Sequence, residues 1–329
     1  MKAKYLFTAA ALLLGMSACN NDENENLTDG PVAATFTGSI EKAKVSTRMA
    51  DTNWEADNLI GITGKSGDTQ YTNIPYKATQ DGTDGNFEAV SEQIYFQNLD
   101  EVSFTAYYPY NNFSDPEKTD GKTKIKADTR EQSLQKEFDF LYGTGKGSKA
   151  NPVVPFSFEH RMSKLCLEVK GGDDVSFADL KKAVFGLDNL VHEGTFDYAD
   201  KGNTAPTGEA VPEWAFQGNE TESQNIPAFS VKEEESSKKI TYTLILFPQE
   251  FTDSKLKFTA AIDQGGETGV QRFSAEINLN QVESNDGNKL VSGTQYNIPI
   301  TIKKTQLTVG TPTITPWNKK DLEDIEAEM

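Results

Sequence analysis

Apolar and polar residues alternate along most of the chain with a period of two. Val32, Ala34, Phe36 and Ile40 fall on one face of a strand, with polar or small residues between them. This period is typical of half-buried β-strands rather than of helices. Short runs rich in β-forming residues predict further strands at residues 59–62, 93–96, 102–108, 138–142, 153–158, 164–170, 240–247, 256–262, 271–279 and 296–302.

Turn-forming clusters separate the predicted strands, for example at residues 81–86 and 171–173. Only residues 177–183 and 320–329 have a helical pattern, and both stretches are short. Many short strands at even spacing predict an all-β chain of antiparallel β-sandwiches. The length of 329 residues has room for two such domains. The Gly- and Ser-rich stretch 143–152 predicts the boundary, giving domains at 33–148 and 149–329.

The N-terminal residues predict export. Lys2 and Lys4 precede a ten-residue apolar run, which is too short to span a membrane and fits a signal peptide over residues 1–18. Met16 to Cys19 resembles the lipobox of bacterial lipoproteins, in which the cysteine is acylated, for example with palmitate, and becomes the mature N-terminus. The alternative is a chance cysteine in an ordinary secretory signal.

Residues 19–32 form a polar, acidic tether with little to bury. An acidic tract behind a lipidated cysteine resembles the surface-export signal of Bacteroidetes lipoproteins, although a plain linker would look the same. The formal net charge is −18, and loss of residues 1–18, which carry two lysines and no acid, takes it to −20. So acidic a chain argues against nucleic acid or an anionic membrane as partner.

Residues with catalytic or metal-binding chemistry are sparse. His160 and His192 have no partner at metal-ligand spacing, and the nucleophile, phosphate-loop and Cys-x-x-Cys motifs are absent from the sequence. With Cys19 assigned to the lipid, Cys166 has no disulfide partner and fits a buried apolar site. We therefore expect no cofactor and no enzymatic activity, although distant carboxylates could still form a hydrolase pair.

A set of landmarks behind the lipobox resembles the fimbrillin family, the type V pilus subunits of Bacteroidales. The landmarks are Trp54 with Asp57 and Ile60 to Ile62, Phe104 to Pro109, Asp139 to Tyr142, Phe156 to Leu165, Leu246 to Gln249, Gly293 to Tyr296, and Trp317. The resemblance implies two transthyretin-like antiparallel β-sandwich domains, no catalysis, and a structural or adhesive role in a fimbria at the outer-membrane surface. It also implies that His160 is structural.

In that family the first strand is cut away after an arginine, and a strand of a neighbouring pilus subunit fills the groove. The matching site here is Arg48 followed by Met49, shortly after the alternating strand. Leu307, Val309, Thr311 and Thr313 alternate near the C-terminus and form the candidate donor strand. The plainer interpretations are that Arg48 is a surface arginine and that residues 306–317 are the last strand of the second domain.

Three function hypotheses follow. The first is a pilus subunit that assembles with the same or related subunits. The second is a surface lipoprotein that binds glycan or peptide on an aromatic platform formed by Tyr107, Tyr108, Tyr110 or Trp214. The third is a secreted hydrolase.

Overall fold

A computed structural model describes residues 30–41, 53–112, 114, 119–120, 123–198, 213–217, 222–225, 231–251, 255–263, 269–282 and 287–316. Within these residues the chain is built mainly of strands, and the prediction of an all-β chain is confirmed. The α-helices in the described part of the chain are α1 (Gln135–Phe138) and α2 (Phe177–Lys182).

The strands of the first half are β1 (Val32–Ala33), β2 (Thr35–Ile40), β3 (Leu59–Ser66), β4 (Thr69–Ala78), β5 (Asp84–Ala89), β6 (Tyr95–Phe96), β7 (Val102–Tyr108), β8 (Thr119–Asp120), β9 (Lys124–Asp128), β10 (Leu141–Gly147) and β11 (Val153–His160). Those of the second half are β12 (Ser163–Gly171), β13 (Val184–Leu190), β14 (Glu193–Asp197), β15 (Trp214–Gln217), β16 (Glu222–Asn225), β17 (Val231–Glu234), β18 (Lys239–Leu246), β19 (Lys257–Asp263), β20 (Val270–Glu276), β21 (Thr294–Lys303), β22 (Gln306–Val309) and β23 (Thr313–Pro316).

Seven strands of the first half close into a barrel in the order β10-β11-β2-β5-β4-β3-β7, with β7 pairing back to β10. Its interior holds one apolar core, in which the rings of Phe36, Phe104 and Phe156 are buried. Closure leaves the barrel without an exposed edge, and it differs from the separate sheets of the predicted sandwich. The closing strand is β2, which joins β11 to β5.

The second half is two packed sheets. One has the order β17-β18-β12-β21, with β22 and β23 on the outer edge of β21, and the other has the order β16-β13-β19-β20. Side chains such as Leu167, Phe258 and Ile298 fill the space between them. This half agrees with a β-sandwich, and the transthyretin-like topology of the two halves stays a prediction.

A four-stranded sheet, β15-β14-β9-β8, joins the two halves. It covers a third apolar core, in which Tyr107 and Tyr142 from the outside of the barrel meet Phe196, Trp214 and Phe247. The segment before α1 adds polar contacts, since the Gln132 side chain donates to Ile245 O (2.9 Å) and accepts from Ile245 N (2.9 Å). The halves therefore share a buried interface.

Each half places its first long strand parallel to a later strand and antiparallel to a third. In the barrel, β2 runs parallel to β11 and antiparallel to β5. In the sandwich, β12 runs parallel to β21 and antiparallel to β18. This shared arrangement has no counterpart in the sequence, where we found no internal repeat.

Several sequence predictions need correction. The stretch 143–152 is the larger part of β10 and the loop that connects it to β11, and these two strands pair with each other in the barrel. The chain therefore passes from barrel to sandwich at residues 161–162 rather than at 148–149. The strand predicted at 138–142 begins only at Leu141, and Phe138 is instead the last residue of α1. The predicted turn 81–86 contains the start of β5. No helix among the described residues is long and apolar enough to cross a membrane.

Candidate assembly site

The strand β2 is hydrogen-bonded to a neighbouring strand on each side in the barrel wall. It pairs along residues 35–40 with β11 on one side and along residues 36–39 with β5 on the other. Ala34, Phe36, Gly38 and Ile40 are buried, while Thr35 and Ser39 are exposed. The alternation predicted for this segment is therefore present, and its apolar face points into the barrel.

Phe36 is the largest side chain that β2 contributes to the core. Its ring is fully buried and lies 4.9 Å from the Tyr76 ring, 5.4 Å from Phe104 and 5.6 Å from Phe156, measured between centroids. Edge-to-face and offset contacts of this kind add to the burial free energy of aromatic rings. Phe36 therefore anchors β2 in its slot.

Gly38 lies directly opposite Gly85 of β5, and aromatic rings fill the space that two side chains would take. A Cβ on Gly38 would lie 2.7 Å from the Phe158 ring, and a Cβ on Gly85 would lie 2.8 Å from Trp54. The Trp54 indole N–H donates to Gly38 O at 2.9 Å. Trp54 therefore holds the backbone of β2, and the glycine pair leaves room for the rings of Trp54, Phe87 and Phe158.

Hydrogen bonds hold the chain on both sides of β2, at residues 30–34 and at Glu41. Lys149 Nζ donates to Gly30 O (2.8 Å), and Ala34 N donates to Ile94 O (2.9 Å). At the other end Glu41 N donates to Phe158 O (2.6 Å). The described chain leaves the barrel at Glu41 and returns at Asn53, beside a cavity of about 310 Å³.

Arg48, Met49 and Cys19 lie outside the described residues, so the cleavage site and the lipid anchor stay predictions. The tail 320–329, predicted as helical, and Trp317 also lie outside them.

The candidate donor segment lies on the outer edge of the sandwich. Leu307 and Val309 belong to β22 and Thr313 belongs to β23, both of which pair antiparallel with β21, while Thr311 lies in the connection between them. Gly310 N donates to Pro299 O (2.8 Å) across that connection. Leu307 and Val309 are half-buried against the sandwich core. In this state residues 306–316 therefore pair within their own chain.

The four aromatic residues proposed as a binding platform do not lie on one surface. Tyr107 is fully buried and its hydroxyl donates to Asn73 Oδ1 (2.7 Å), and burial raises its pKa well above the usual range. Tyr108 lines the 310 Å³ cavity. Tyr110 and Trp214 line a different cavity of about 470 Å³, although Trp214 is buried and donates to Arg161 O (2.9 Å).

The titratable groups give no catalytic arrangement among the described residues. Large upward pKa shifts fall on buried tyrosines such as Tyr76 and Tyr296, and desolvation is their main cause. No group of three or more His, Cys, Asp or Glu side chains in the described part of the chain is placed to hold a metal ion. Cys166 is buried, with Sγ 3.9 Å from Thr243 Oγ1.

His160 has a structural environment. Its ring is buried at the end of β11, and Nδ1 lies 2.9 Å from Asp139 Oδ1. Two of the sequence landmarks, at 139–142 and 156–165, therefore meet here. Sequence reasoning missed the glycine pair, although the Phe36-x-Gly38 spacing within an otherwise alternating strand was visible.

Comparisons with known proteins agree with this architecture. The sequence profile of the family described as fimbrillin-like matches residues 47–317. A proposed fimbrium subunit of Bacteroides uniformis, Fim1C, is 32% identical over 218 residues, which cover 63% of this chain and 69% of Fim1C.

Two crystal structures of proposed cell adhesion proteins share the fold. The structure from Bacteroides uniformis has 24% identity and a TM-score of 0.63, and the one from Bacteroides ovatus has 23% identity and a TM-score of 0.61. Each comparison covers 88% of this chain and 99% of the other.

Proposed function

The chain belongs to the fimbrillin-like family, and from that premise we propose that it is a non-enzymatic subunit of a cell-surface pilus. In this proposal the subunit joins its neighbours by strand exchange after its first strand is removed by proteolysis. The single observation that carries the proposal is the position of β2, one separate strand that closes the barrel between β11 and β5.

Loss of β2 would open the barrel on two sides. The backbone groups of β5 and β11 that now pair with β2 would lose their partners, and each unsatisfied buried group costs about 1–3 kcal/mol. An apolar slot would open where Phe36 and Ile40 now lie. A strand from a neighbouring subunit would restore both the ladder and the core, which is β-strand addition.

The proposed cut lies after Arg48, leaving Met49 as the new N-terminus. The described chain ends at Glu41 and resumes at Asn53, so a cut between them would separate β2 from the rest of the barrel while its hydrogen bonds still held it. Until that cut, β2 would keep the subunit closed and unable to polymerise.

The proposed donor is the C-terminal segment with Leu307, Val309, Thr311 and Thr313. Among the described strands it is hydrogen-bonded to β21 alone, and β20 of the other sheet lies against β22 without pairing with it. An edge strand can leave its sheet at a lower cost than a strand in the middle of a barrel.

Before assembly the proposed location is the outer membrane. Residues 1–18 would be removed on export, Cys19 would carry the lipid, and the acidic tether 19–32 would lead to the barrel. Replacing Cys19 by Ala should release the protein from the membrane fraction. Equal retention of Cys19→Ala and wild type would contradict the anchor.

The test is electron microscopy of native cells with an antibody to this protein. Cells that make wild-type protein should show labelled fibres, and cells that make Arg48→Ala should show label at the membrane but not along fibres. Arg48→Lys, which keeps the charge, should behave like Arg48→Ala if the protease requires arginine. Label on fibres in the Arg48→Ala cells would contradict the proposal.

The cavity of about 470 Å³ favours a second candidate function, binding of glycan or peptide at the cell surface. Tyr110 and Leu134 line it together with Lys126, Lys136 and Glu193, and such a mixture of apolar and polar groups suits a small polar ligand. A glycan-array signal that Tyr110→Ala abolishes, with unchanged thermal stability, would support this function. The same glycan-array signal for wild type and Tyr110→Ala would count against this binding function.

A further inference from the structure

The slot filled by β2 has strict and opposite requirements at two neighbouring positions. At position 36 it holds a complete phenyl ring, which is buried among the rings of Tyr76, Phe104 and Phe156. Two residues further on, at position 38, it has no room for any side chain. A ring-sized cavity destabilises a protein core, and so does an extra side chain in a space that is already filled.

The restriction at position 38 comes from both walls of the slot. Phe158, on β11, lies 2.7 Å from the place of a Cβ on Gly38, and Phe87, on β5, lies 3.2 Å from it. Trp54 packs against both of these rings, with centroids 5.0 Å away in each case. Three packed rings cannot all move aside, so the position requires glycine.

The C-terminal segment of this chain does not meet both requirements in any register. Residues 306–317 contain one glycine, Gly310. With Gly310 at position 38 and the strand in the direction of β2, Thr308 falls at position 36 and leaves the ring space unfilled. In the opposite direction Pro312 falls there, and proline cannot donate a hydrogen bond in a ladder that is paired on both sides. Every other register places a side chain against Phe158.

We infer that the slot selects a donor strand with an aromatic side chain two residues before a glycine, and that this strand comes from a different protein rather than from a second copy of this chain. The inference rests on the proposed strand exchange and names the partner: an unlike subunit with that pattern in its donor strand. This chain's own C-terminal strand then enters the slot of another subunit, one whose slot has room for a side chain at the position that corresponds to Gly38. The subunit is thus a junction between unlike neighbours.

The test uses the full mature chain cut once within residues 42–52, so that both pieces remain present. Labelled peptides compete for the slot under mild denaturant, and their incorporation is followed by fluorescence anisotropy. The peptides are residues 31–41, the same peptide with Gly38→Val or with Phe36→Leu, and residues 305–317. We expect the 31–41 peptide to enter, and both the Gly38→Val peptide and the 305–317 peptide to compete at least about 100-fold less well.

A matched change in the slot tests the steric cause. Phe158→Leu shortens the ring that contacts position 38, so the preference for the wild-type peptide over Gly38→Val should fall by about tenfold. If Phe158→Leu does not fold, a graded loss from Gly38 to Ala to Val in the peptide gives the same information on the wild-type chain.

The outcomes separate the inference from the proposed function. Equal entry by the 31–41, Gly38→Val and 305–317 peptides would overturn the selectivity and leave strand exchange intact. If none of the peptides entered the slot and β2 stayed in place after the cut, both the inferred selectivity and the proposed strand exchange would be overturned. Polymers of the cut chain alone would also overturn the inference, while supporting the pilus role.

Discussion

Two segments of this chain, the strand β2 and the C-terminal strand pair β22–β23, differ in the number of strands that are hydrogen-bonded to them. The strand β2 has hydrogen-bonded neighbours on both sides and buries an alternating set that includes Phe36 and Ile40. The C-terminal pair is bonded to β21 alone, and Leu307 and Val309 are only half-buried. Under the proposed mechanism β2 therefore needs proteolysis to leave, whereas the C-terminal pair can detach from an intact chain.

The largest expected effect is at Phe36. Phe36→Ala should lower the free energy of unfolding by about 3–5 kcal/mol, because a fully buried ring leaves a cavity between Tyr76, Phe104 and Phe156. Urea unfolding followed by tryptophan fluorescence measures the change. Thr35→Ala, on the exposed face of the same strand, is the matched control and should change it by less than about 0.5 kcal/mol. Similar losses for both would contradict the anchoring role of Phe36.

The second prediction concerns alkaline pH. Tyr76 packs on Phe36 and accepts a hydrogen bond from Ile94 N, and burial raises its pKa to about 12. The folded state therefore favours the neutral hydroxyl, and its contribution is complete below pH ~10 and is lost as the pH rises towards 12. The loss should be about 2–3 kcal/mol.

Other tyrosines will also titrate, among them the buried Tyr198 and the half-buried Tyr242, whose pKa values are likewise raised to about 12. The measurement is therefore the difference between wild type and Tyr76→Phe in unfolding free energy from pH 9 to pH 12. The variant should lose less over this range. The same slope for both proteins would mean that Tyr76 ionises without cost to the barrel.

The third prediction tests the glycine pair in the intact chain. Gly38→Val should lower the free energy of unfolding by about 2–3 kcal/mol, because the new side chain meets the Phe158 ring. Valine has a higher strand propensity than glycine, so propensity alone predicts the opposite sign. Thermal denaturation distinguishes the two, and a raised midpoint temperature would show that the rings give way.

The smallest effect is expected in the C-terminal pair. Leu307→Ala should cost about 1 kcal/mol, since the side chain is half-buried and its neighbours can relax. The measurement is the same urea titration that is used for Phe36→Ala. A loss as large as that of Phe36→Ala would remove the contrast between the two strands.

The sequence was sufficient where alternation is strong. The strand Val102–Tyr108 was predicted with its exact bounds, because its core-facing residues are apolar. The strand β5 was missed because Asp84, Gly85 and Asn86 look like a turn; the glycine is there for the Trp54 ring rather than for a turn. The need for glycine at position 85 comes from Trp54, which is distant in the sequence.

The candidate site was predicted only in part. The alternation of residues 32–40 indicated a strand, and its apolar face is indeed buried. Its partners β5 and β11 could not be predicted, since the pairing of β2 with residues 153–158 is non-local and parallel. The domain boundary was misplaced for the same reason: the loop at 148–152 has the composition of a linker but connects two barrel strands.

The most direct test of the account is the N-terminal residue of this chain in fibres sheared from native cells. Edman sequencing or mass spectrometry of the fibre band should give Met49, with no peptide from residues 31–41 of this chain. Chains in the fibre that begin at a lipidated Cys19 and keep residues 31–41 would contradict the account, because β2 would then still fill its own slot.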